Sequence, residues 1–121
     1  GKNYQVFEVN PYLRIIEPEI SVIGRKVVAK FKLEQVTSNE VYRISLFAHS
    51  HIDVSNKLNI VNRTEELNRS ITDGEAFELS INLEDYTSTL VPGKSYYFRI
   101  GAQSHGSETK YNYSASVQLD I

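Results

Sequence analysis

Residues 90–102 read Leu90-Val91-Pro92-Gly93-Lys94-Ser95-Tyr96-Tyr97-Phe98-Arg99-Ile100-Gly101-Ala102, a turn that leads directly into a strand. The spacing of Leu90, Pro92, Gly93 and Tyr96 is that of a tyrosine corner. In this motif the ring is buried and its hydroxyl bonds the backbone a few residues upstream. The stretch therefore predicts that Tyr96 fixes a crossing between two packed β-sheets.

Apolar and polar residues alternate along most of the chain, which indicates strands with one buried face and one solvent face. The predicted strands cover residues 4–9, 12–22, 26–35, 41–50, 77–84, 95–103 and 113–121, with a weaker strand at 57–61. The inward faces are expected to carry Phe31, Ile44, Leu46, Leu79, Ile81, Tyr96, Phe98, Ile100, Val117 and Leu119. The pattern predicts an all-β antiparallel sandwich.

Turn and breaker residues add local detail to this arrangement. Gly24-Arg25 predicts a hairpin turn between two strands, and Asp73-Gly74 predicts a tight turn. Pro11 and Pro18 mark points where we expect the first strand to break and switch sheets, because proline cannot donate to a central ladder. The least regular region is 51–76, where residues 62–67 are expected to form a single helical turn.

The chain has 121 residues, which suits a single domain spanning residues 1–121. Eight Tyr and five Phe supply aromatic area, while Trp, Met and Cys are absent. Because the chain has no Met and opens with Gly1, we expect a segment excised from a longer protein, with Gly1 left by tag removal or, alternatively, by maturation at a natural cleavage site. The lack of Cys excludes disulfides and thiol chemistry within the segment.

The charge pattern and the motifs exclude several classes of function. The net charge is −2, and the 13 basic and 15 acidic residues are interspersed, so no basic stripe indicates nucleic-acid binding. No apolar run reaches the roughly 20 residues of a transmembrane helix. No nucleophile motif or phosphate-binding glycine loop is present. We therefore expect no enzyme activity and no cofactor.

The pattern leucine, x, proline, glycine, x, x, tyrosine, x, phenylalanine, arginine at residues 90–99 resembles the turn and penultimate strand of fibronectin type III domains. The tryptophan usual in the second strand of that fold has no counterpart, and Phe31 is expected to fill its place. The resemblance implies a fibronectin type III or immunoglobulin-like antiparallel β-sandwich of seven to eight strands.

Four further segments, residues 9–15, 27–35, 97–102 and 111–114, resemble one family in particular. This is the C-terminal domain of uncharacterised Bacteroidetes surface lipoproteins from Sus-type polysaccharide-utilisation loci. The resemblance implies a lipid-anchored parent with a small β-rich N-terminal domain, exposed on the outer membrane of the cell envelope. It also implies a link to glycan acquisition, and it brings no established activity.

Candidate binding residues lie on the outer face of the sheet that carries the tyrosine corner. Antiparallel pairing is expected to bring Arg43, Phe47 and His49 of one strand beside Tyr97, Arg99 and Gln103 of its neighbour, with Phe47 near Tyr97. An aromatic patch flanked by arginines could stack on a sugar ring or dock a partner. The alternative is that residues 51–76 cover the patch, and cover or domain docking is favoured over ligand binding. Tyr111 is a further candidate, whereas Tyr113 is expected to begin the core face of the last strand.

One cluster has spacing that could suit a metal. A strand would place His49, His51 and Asp53 on the same side. His105 is expected at the opposite end of the sandwich, roughly 25 Å away, since about eight residues of strand separate the two ends. We therefore expect no functional metal site and interpret these histidines as solvated loop residues.

Three functions follow from these observations. The first is a non-catalytic module of a surface lipoprotein serving glycan acquisition, as a spacer or as a glycan-binding domain through Phe47, Tyr97 and Arg99. The second is a protein-interaction domain that docks on an outer-membrane transporter or on the upstream domain. The third and remotest is a metal-dependent enzyme built on the histidine cluster.

Overall fold

The computed structural model describes residues 13–106 and 111–121, which form two antiparallel sheets packed face to face. The strands are β1 (Leu13–Ile23), β2 (Lys26–Gln35), β3 (Val41–His49), β4 (Val61–Arg69), β5 (Glu75–Asn82), β6 (Ser95–Ser104), β7 (Asn112–Tyr113) and β8 (Val117–Asp120). One sheet has the order β1-β2-β5, and the other has the order β4-β3-β6-β7 with β8 also paired to β6. The β-sandwich prediction is confirmed.

The core lies between the two sheets and is aliphatic and aromatic. Alternate residues of β2, β3, β5 and β6 point into it, as their periodicity predicts. Its fully enclosed members include Val27, Leu33, Ile44, Leu46, Phe98 and Ile100. Phe31 is 3% exposed and stacks on Phe77 with ring centroids 6.0 Å apart. Val117 and Leu119 are partly buried and pack against the same cluster.

The turn before β6 has the geometry of a tyrosine corner. The Tyr96 ring is 6% exposed, and its hydroxyl accepts a hydrogen bond of 2.9 Å from the Val91 amide. Lys94 N donates to Val91 O at 3.2 Å, with Pro92 at the second position and Gly93 at φ +87° in the third, as in a type II turn. Leu90 is fully buried behind the turn. This prediction is confirmed.

The structure differs from the prediction between residues 57 and 69, where a weak strand at 57–61 and a helical turn at 62–67 were expected. Residues 61–69 form β4, an edge strand that pairs with β3 from Val41↔Arg69 to Ala48↔Val61. Its sequence is mostly polar because an edge strand is exposed on more than one side, so the local composition does not indicate a strand. Pairing with the buried β3 backbone overrides the local preference.

The first and last strands also depart from prediction. Pro18 lies at a β-bulge between Ile16 and Glu19, but β1 pairs with β2 on both sides of it and does not switch sheets. The predicted strand at 113–121 is split into β7 and β8, because the Ser114 hydroxyl takes the hydrogen bond from Ile100 N at 3.0 Å. The predicted strand at 4–9 and Pro11 lie outside the described residues. Within the described residues, no helix is long and apolar enough to cross a membrane.

An ion pair closes the connection from β4 to β5. Arg69 Nη2 lies 2.6 Å from Glu75 Oε2, and Thr72 N donates to Glu75 Oε1 at 3.1 Å. The hydrogen bond from Arg69, and then the amide of Thr72, lower the pKa of Glu75 below its ordinary value of 4.5. A carboxylate with a lowered folded-state pKa contributes stability that is present above its unfolded pKa and is lost as the pH falls through the folded pKa.

We therefore expect Glu75→Gln to lower the free energy of unfolding at pH 7, and the difference from the wild type to shrink as the pH falls below 4.5. Urea denaturation over a pH series measures this. Glu65→Gln is the control, since Glu65 is an exposed residue of β4 that lies opposite the apolar Ile44 and forms no ion pair with the described residues. A difference for Glu75→Gln that is constant over the whole pH range would contradict the prediction.

Candidate functional site

The central strands of the five-stranded sheet are covered on their outer face as well as on their core face. Ile44, Leu46 and Ala48 point into the core, but Ser45 and Phe47 on the opposite side of β3 are only 0% and 3% exposed. A sheet with one solvated face would leave these two residues accessible. A second, smaller packing layer therefore lies on the outside of this sheet.

Phe47 is the centre of that layer: it is covered, as the favoured interpretation of the sequence expects, but it does not pair with Tyr97 as predicted. The register places Phe47 opposite Arg99, and Tyr97 opposite His49. Two tyrosine rings cover Phe47: Tyr111 with a centroid distance of 5.7 Å and Tyr113 at 6.3 Å. Phe47 is thus a support for the surface and is not available to a ligand.

Gly101 makes this packing possible. It lies on β6 opposite Tyr113 of β7, and it has no side chain to hold the rings off the sheet. A Cβ at this position would be 2.8 Å from Phe47 Cε2, 3.1 Å from Tyr111 Cδ2 and 3.2 Å from Tyr113 Cε1. A glycine inside a strand often marks such a close approach. The three rings therefore rest directly on the backbone.

Tyr111 and Tyr113 form a stacked pair, with ring centroids 5.7 Å apart and an interplanar angle of 19°. Both are half-buried, so each ring keeps accessible surface. The Tyr113 hydroxyl donates to Asn56 Oδ1 at 2.6 Å and accepts from Asn56 N at 3.1 Å. We call these two residues the tyrosine pair. Tyr113 lies on the outer face, so the expectation that it begins the core face of the last strand is wrong.

Arg99 links the tyrosine pair to the end of β7 and to the loop between β3 and β4. Its Nε donates to Ser114 O at 2.7 Å, its Nη1 donates to Val54 O at 3.3 Å, and its guanidinium lies 4.6 Å from the Tyr113 ring centroid. Val54 is fully buried, so the loop between β3 and β4 covers this part of the face. The expectation that residues 51–76 cover the patch is therefore confirmed near Arg99, where the part of the loop that contains Val54 and Asn56 lies over the sheet.

Arg43 is placed differently from Arg99. Its Nε donates at 2.9 Å to Oε1 of Gln103, which is 1% exposed. Its guanidinium lies 4.5 Å from the ring centroid of Tyr42 and 5.9 Å from that of Tyr111. Such cation–aromatic contacts are favourable by about 0.5–1 kcal/mol at exposed sites. We refer to Arg43 with the tyrosine pair as the arginine–tyrosine face.

The other sequence candidates lie apart from this face. Tyr97 is half-buried between His49 and Gln118 in the paired strands, two residues or roughly 7 Å along β6 from Arg99. The structure thus brings Arg43, Arg99 and Tyr111 together around Phe47, and leaves Tyr97 in the adjacent row. Gln103 was placed on this outer face from the sequence, whereas Tyr42 and Gly101 were not identified, although a glycine within a predicted strand is a signal of close backbone approach.

The histidine cluster is a turn rather than one side of a strand. Nδ1 of His49 accepts from His51 N at 3.0 Å, and Nδ1 of His51 accepts from Asp53 N at 3.1 Å. His105 lies at the other end of β3, where its ring is 4.6 Å from that of Tyr42. In the described ranges no three His, Cys, Asp or Glu side chains are grouped so that they could hold a metal ion.

A concavity of about 490 Å³ lies on the other sheet, beside the β1 bulge. Its charged residues oppose one another: Glu19 pairs across the strands with Lys30, Lys30 with Glu78, and Lys32 Nζ lies 3.2 Å from Glu17 Oε1. Opposite charges in neighbouring strands stabilise a solvated sheet face. This arrangement accounts for the charges without a ligand.

Comparison with known proteins adds three findings. The sequence profile of a family described as a domain of unknown function, DUF3823_C, matches residues 13–118. A solved protein from Bacteroides uniformis, described as a "putative carbohydrate binding protein", is 30% identical, with a TM-score of 0.86. DUF3823 family proteins from Bacteroides ovatus and Parabacteroides merdae are 18% and 22% identical, with TM-scores of 0.74 and 0.75.

The chain is shorter than these solved relatives. Their alignments cover 95%, 91% and 91% of this chain, but only 60%, 55% and 53% of the B. uniformis, B. ovatus and P. merdae proteins. No curated protein matches the chain. The two relatives below 25% identity support the fold alone.

Proposed function

The chain belongs to the DUF3823_C family, which includes the Bacteroidetes proteins that its sequence resembles, and we propose that it is a non-catalytic carbohydrate-binding domain. The binding surface is the arginine–tyrosine face. The observation that carries the proposal is the stacked, half-buried tyrosine pair, which packs against the sheet at Gly101 and is bordered by Arg43 and Arg99.

The chemistry of this face suits a sugar ring. The C–H faces of a pyranose are apolar and pack on aromatic rings, while its hydroxyls need hydrogen-bond partners at the ring edge. Tyrosine offers both an apolar ring and a polar tip. The ring positions are fixed in advance, because Tyr113 is bonded to Asn56 and both rings pack on Phe47. A preformed site loses less entropy on binding.

The B. uniformis relative supports the proposal. That protein, at 30% identity, is described as a "putative carbohydrate binding protein", and its alignment covers nearly all of this chain. The relatives are also longer than this chain, which suits a parent protein with a further domain. We propose that the parent is a lipoprotein exposed on the outer membrane and that it serves glycan acquisition.

The carboxylates that the strands themselves place on the outer side of this sheet are too far apart for glycoside hydrolysis, which favours binding. Among described residues, the register places Glu66 in the row of Arg43 and Gln103, and Asp120 in the row of Ser95. Eight residues of β6 separate these rows, or roughly 27 Å. Glycosidases usually need two carboxyl groups about 5–9.5 Å apart.

A second candidate function is docking on another protein, and the loop between β3 and β4 favours it. Three large apolar side chains of this loop are exposed: Ile52 at 54%, Leu58 at 38% and Ile60 at 42%. Exposed apolar groups in one segment often mark an interface. If the upstream domain docks here, amide exchange of residues 50–60 will be slower in the full-length parent than in this domain alone.

The carbohydrate proposal predicts the effect of Tyr111→Ala. This substitution removes one ring of the tyrosine pair and leaves the core between the two sheets untouched, so we expect saccharide affinity to fall about tenfold. Affinity electrophoresis through gels containing neutral and acidic polysaccharides measures it. Tyr86→Ala is the matched control, because Tyr86 is a 36% exposed tyrosine at the end of the 3₁₀ turn Leu83–Tyr86, outside the arginine–tyrosine face. Unchanged retardation of the Tyr111 variant in every gel would contradict the proposal.

A further inference from the structure

Arg43 forms no ion pair with a carboxylate of the described residues. Arg14, Arg25 and Arg69 each lie within 4 Å of a glutamate carboxylate. Over residues 13–106 and 111–121, Arg43 has no carboxylate within that distance, although Glu66 is its register partner on β4. The half-buried guanidinium therefore lies beside the tyrosine pair, and no carboxylate of the described residues is in contact with it.

Arg43 is nevertheless fixed in place. Its Nε is bound to the buried Gln103, and its plane lies close to Tyr42 and Tyr111. A guanidinium has five N–H donors, and this arrangement uses one of them. The two terminal nitrogens have no hydrogen-bond partner among the described residues. A held guanidinium with free terminal nitrogens is preorganised for a planar, bidentate acceptor.

Arg99 provides an internal comparison. It contacts the same tyrosine pair, but two backbone carbonyls, Ser114 O and Val54 O, accept its hydrogen bonds. Its role is therefore to hold the loop and the strand end together. The two arginines beside the rings differ in the donors that they leave free, and Arg43 is the one that offers a fork to a ligand.

We infer that the arginine–tyrosine face selects saccharides that carry an anionic group. A sugar ring would pack on Tyr111, and a carboxylate or a sulfate ester on that ring or its neighbour would bind the terminal nitrogens of Arg43. Both anions present two or more oxygens to a guanidinium fork. This inference rests on the proposed carbohydrate-binding function and adds the class of saccharide.

The test compares three probes with the domain by titration calorimetry: polygalacturonate for carboxylates, dextran sulfate for sulfate esters, and dextran as the neutral reference. We expect the wild type to prefer an acidic probe, and Arg43→Gln to weaken that binding about tenfold, a larger loss of affinity than the same substitution causes for dextran. Arg43→Lys should give an intermediate loss, because it keeps the charge but has no fork. Which acidic probe binds more tightly identifies the anion.

Arg63→Gln is the matched control. It removes one positive charge from β4, at the position opposite the core-facing Leu46, on the other side of the same sheet. The inference would be overturned if Arg43→Gln and Arg63→Gln lost equal affinity for the acidic probes, or if dextran bound more tightly than either acidic probe. Neither result would contradict the proposed carbohydrate-binding function. If Tyr111→Ala changes no affinity, or if none of the probes binds, the proposed function fails and the inference fails with it.

Discussion

Tyr96→Phe will lower the free energy of unfolding by about 1–3 kcal/mol, although it removes a single oxygen atom. The hydroxyl of Tyr96 accepts a hydrogen bond of 2.9 Å from Val91 N, and the ring is 6% exposed. Phenylalanine would keep the ring packed but leave the Val91 N–H without its acceptor. Leaving a partly buried donor unpaired costs more than the net gain of an ordinary hydrogen bond.

Tyr97→Phe is the control for this prediction. Tyr97 is the next residue of β6, points to the outer face and is half-buried, and its hydroxyl has no hydrogen bond among the described residues. We expect Tyr97→Phe to change the free energy of unfolding by less than about 0.5 kcal/mol. Urea denaturation gives both values, and an unchanged m-value would show that the unfolded state is not altered. Equal losses for the two variants would refute the role assigned to the corner.

The inner layer of this sandwich could be predicted from the sequence because its signals are local. Alternation in β2, β3 and β6 places the core residues, and the spacing from Leu90 to Tyr96 sets the turn before β6. Gly24 at φ +62°, followed by Arg25, gives the two-residue hairpin. In each case the residues that carry the signal are within a few positions of the structure that they specify.

The outer layer could not be predicted in the same way because it depends on distant contacts. Phe47 is covered by Tyr111 and Tyr113, which follow it by more than sixty residues, and by a loop whose Asn56 bonds Tyr113. Period-two alternation assigns Phe47 to a solvent face and cannot indicate a second cover. The same limit applies to β4, where a polar edge strand is defined by its partner rather than by its own composition.

Only part of the candidate site could be predicted, because it too depends on contacts between distant residues. Arg43, Arg99 and Tyr111 were identified because arginines and tyrosines on an outer strand face are typical of binding surfaces. The difference between the two arginines depends on Gln103, Ser114 and Val54, which are contacts that only the folded register brings together. The residue types indicate the chemistry, and the packing decides which side chain is free to use it.

Gly101→Ala will destabilise the domain and impair its outer face at once. Gly101 has no positive φ, so alanine is allowed there and would restrict the unfolded chain, a gain of about 0.4–1 kcal/mol. Against this, the added methyl would lie 2.8 Å from Phe47 Cε2 and within 3.2 Å of both tyrosine rings. Overpacking of this kind costs about 1–3 kcal/mol. The larger effect is the clash, so we expect a net loss of stability.

A double-mutant cycle with Phe47→Leu tests the cause of that loss. Phe47→Leu alone leaves a gap under the tyrosine pair, whereas in the Gly101→Ala variant the smaller side chain makes room for the new methyl. We expect a favourable coupling of about 0.5–3 kcal/mol, and strictly additive effects would contradict it.

Gly101→Ala should also lower saccharide affinity more than tenfold, because both rings are displaced from the sheet. Tyr96→Phe, with a comparable loss of stability, should bind like the wild type, because the corner does not contact the face; loss of binding in both variants would instead indicate a general effect of destabilisation.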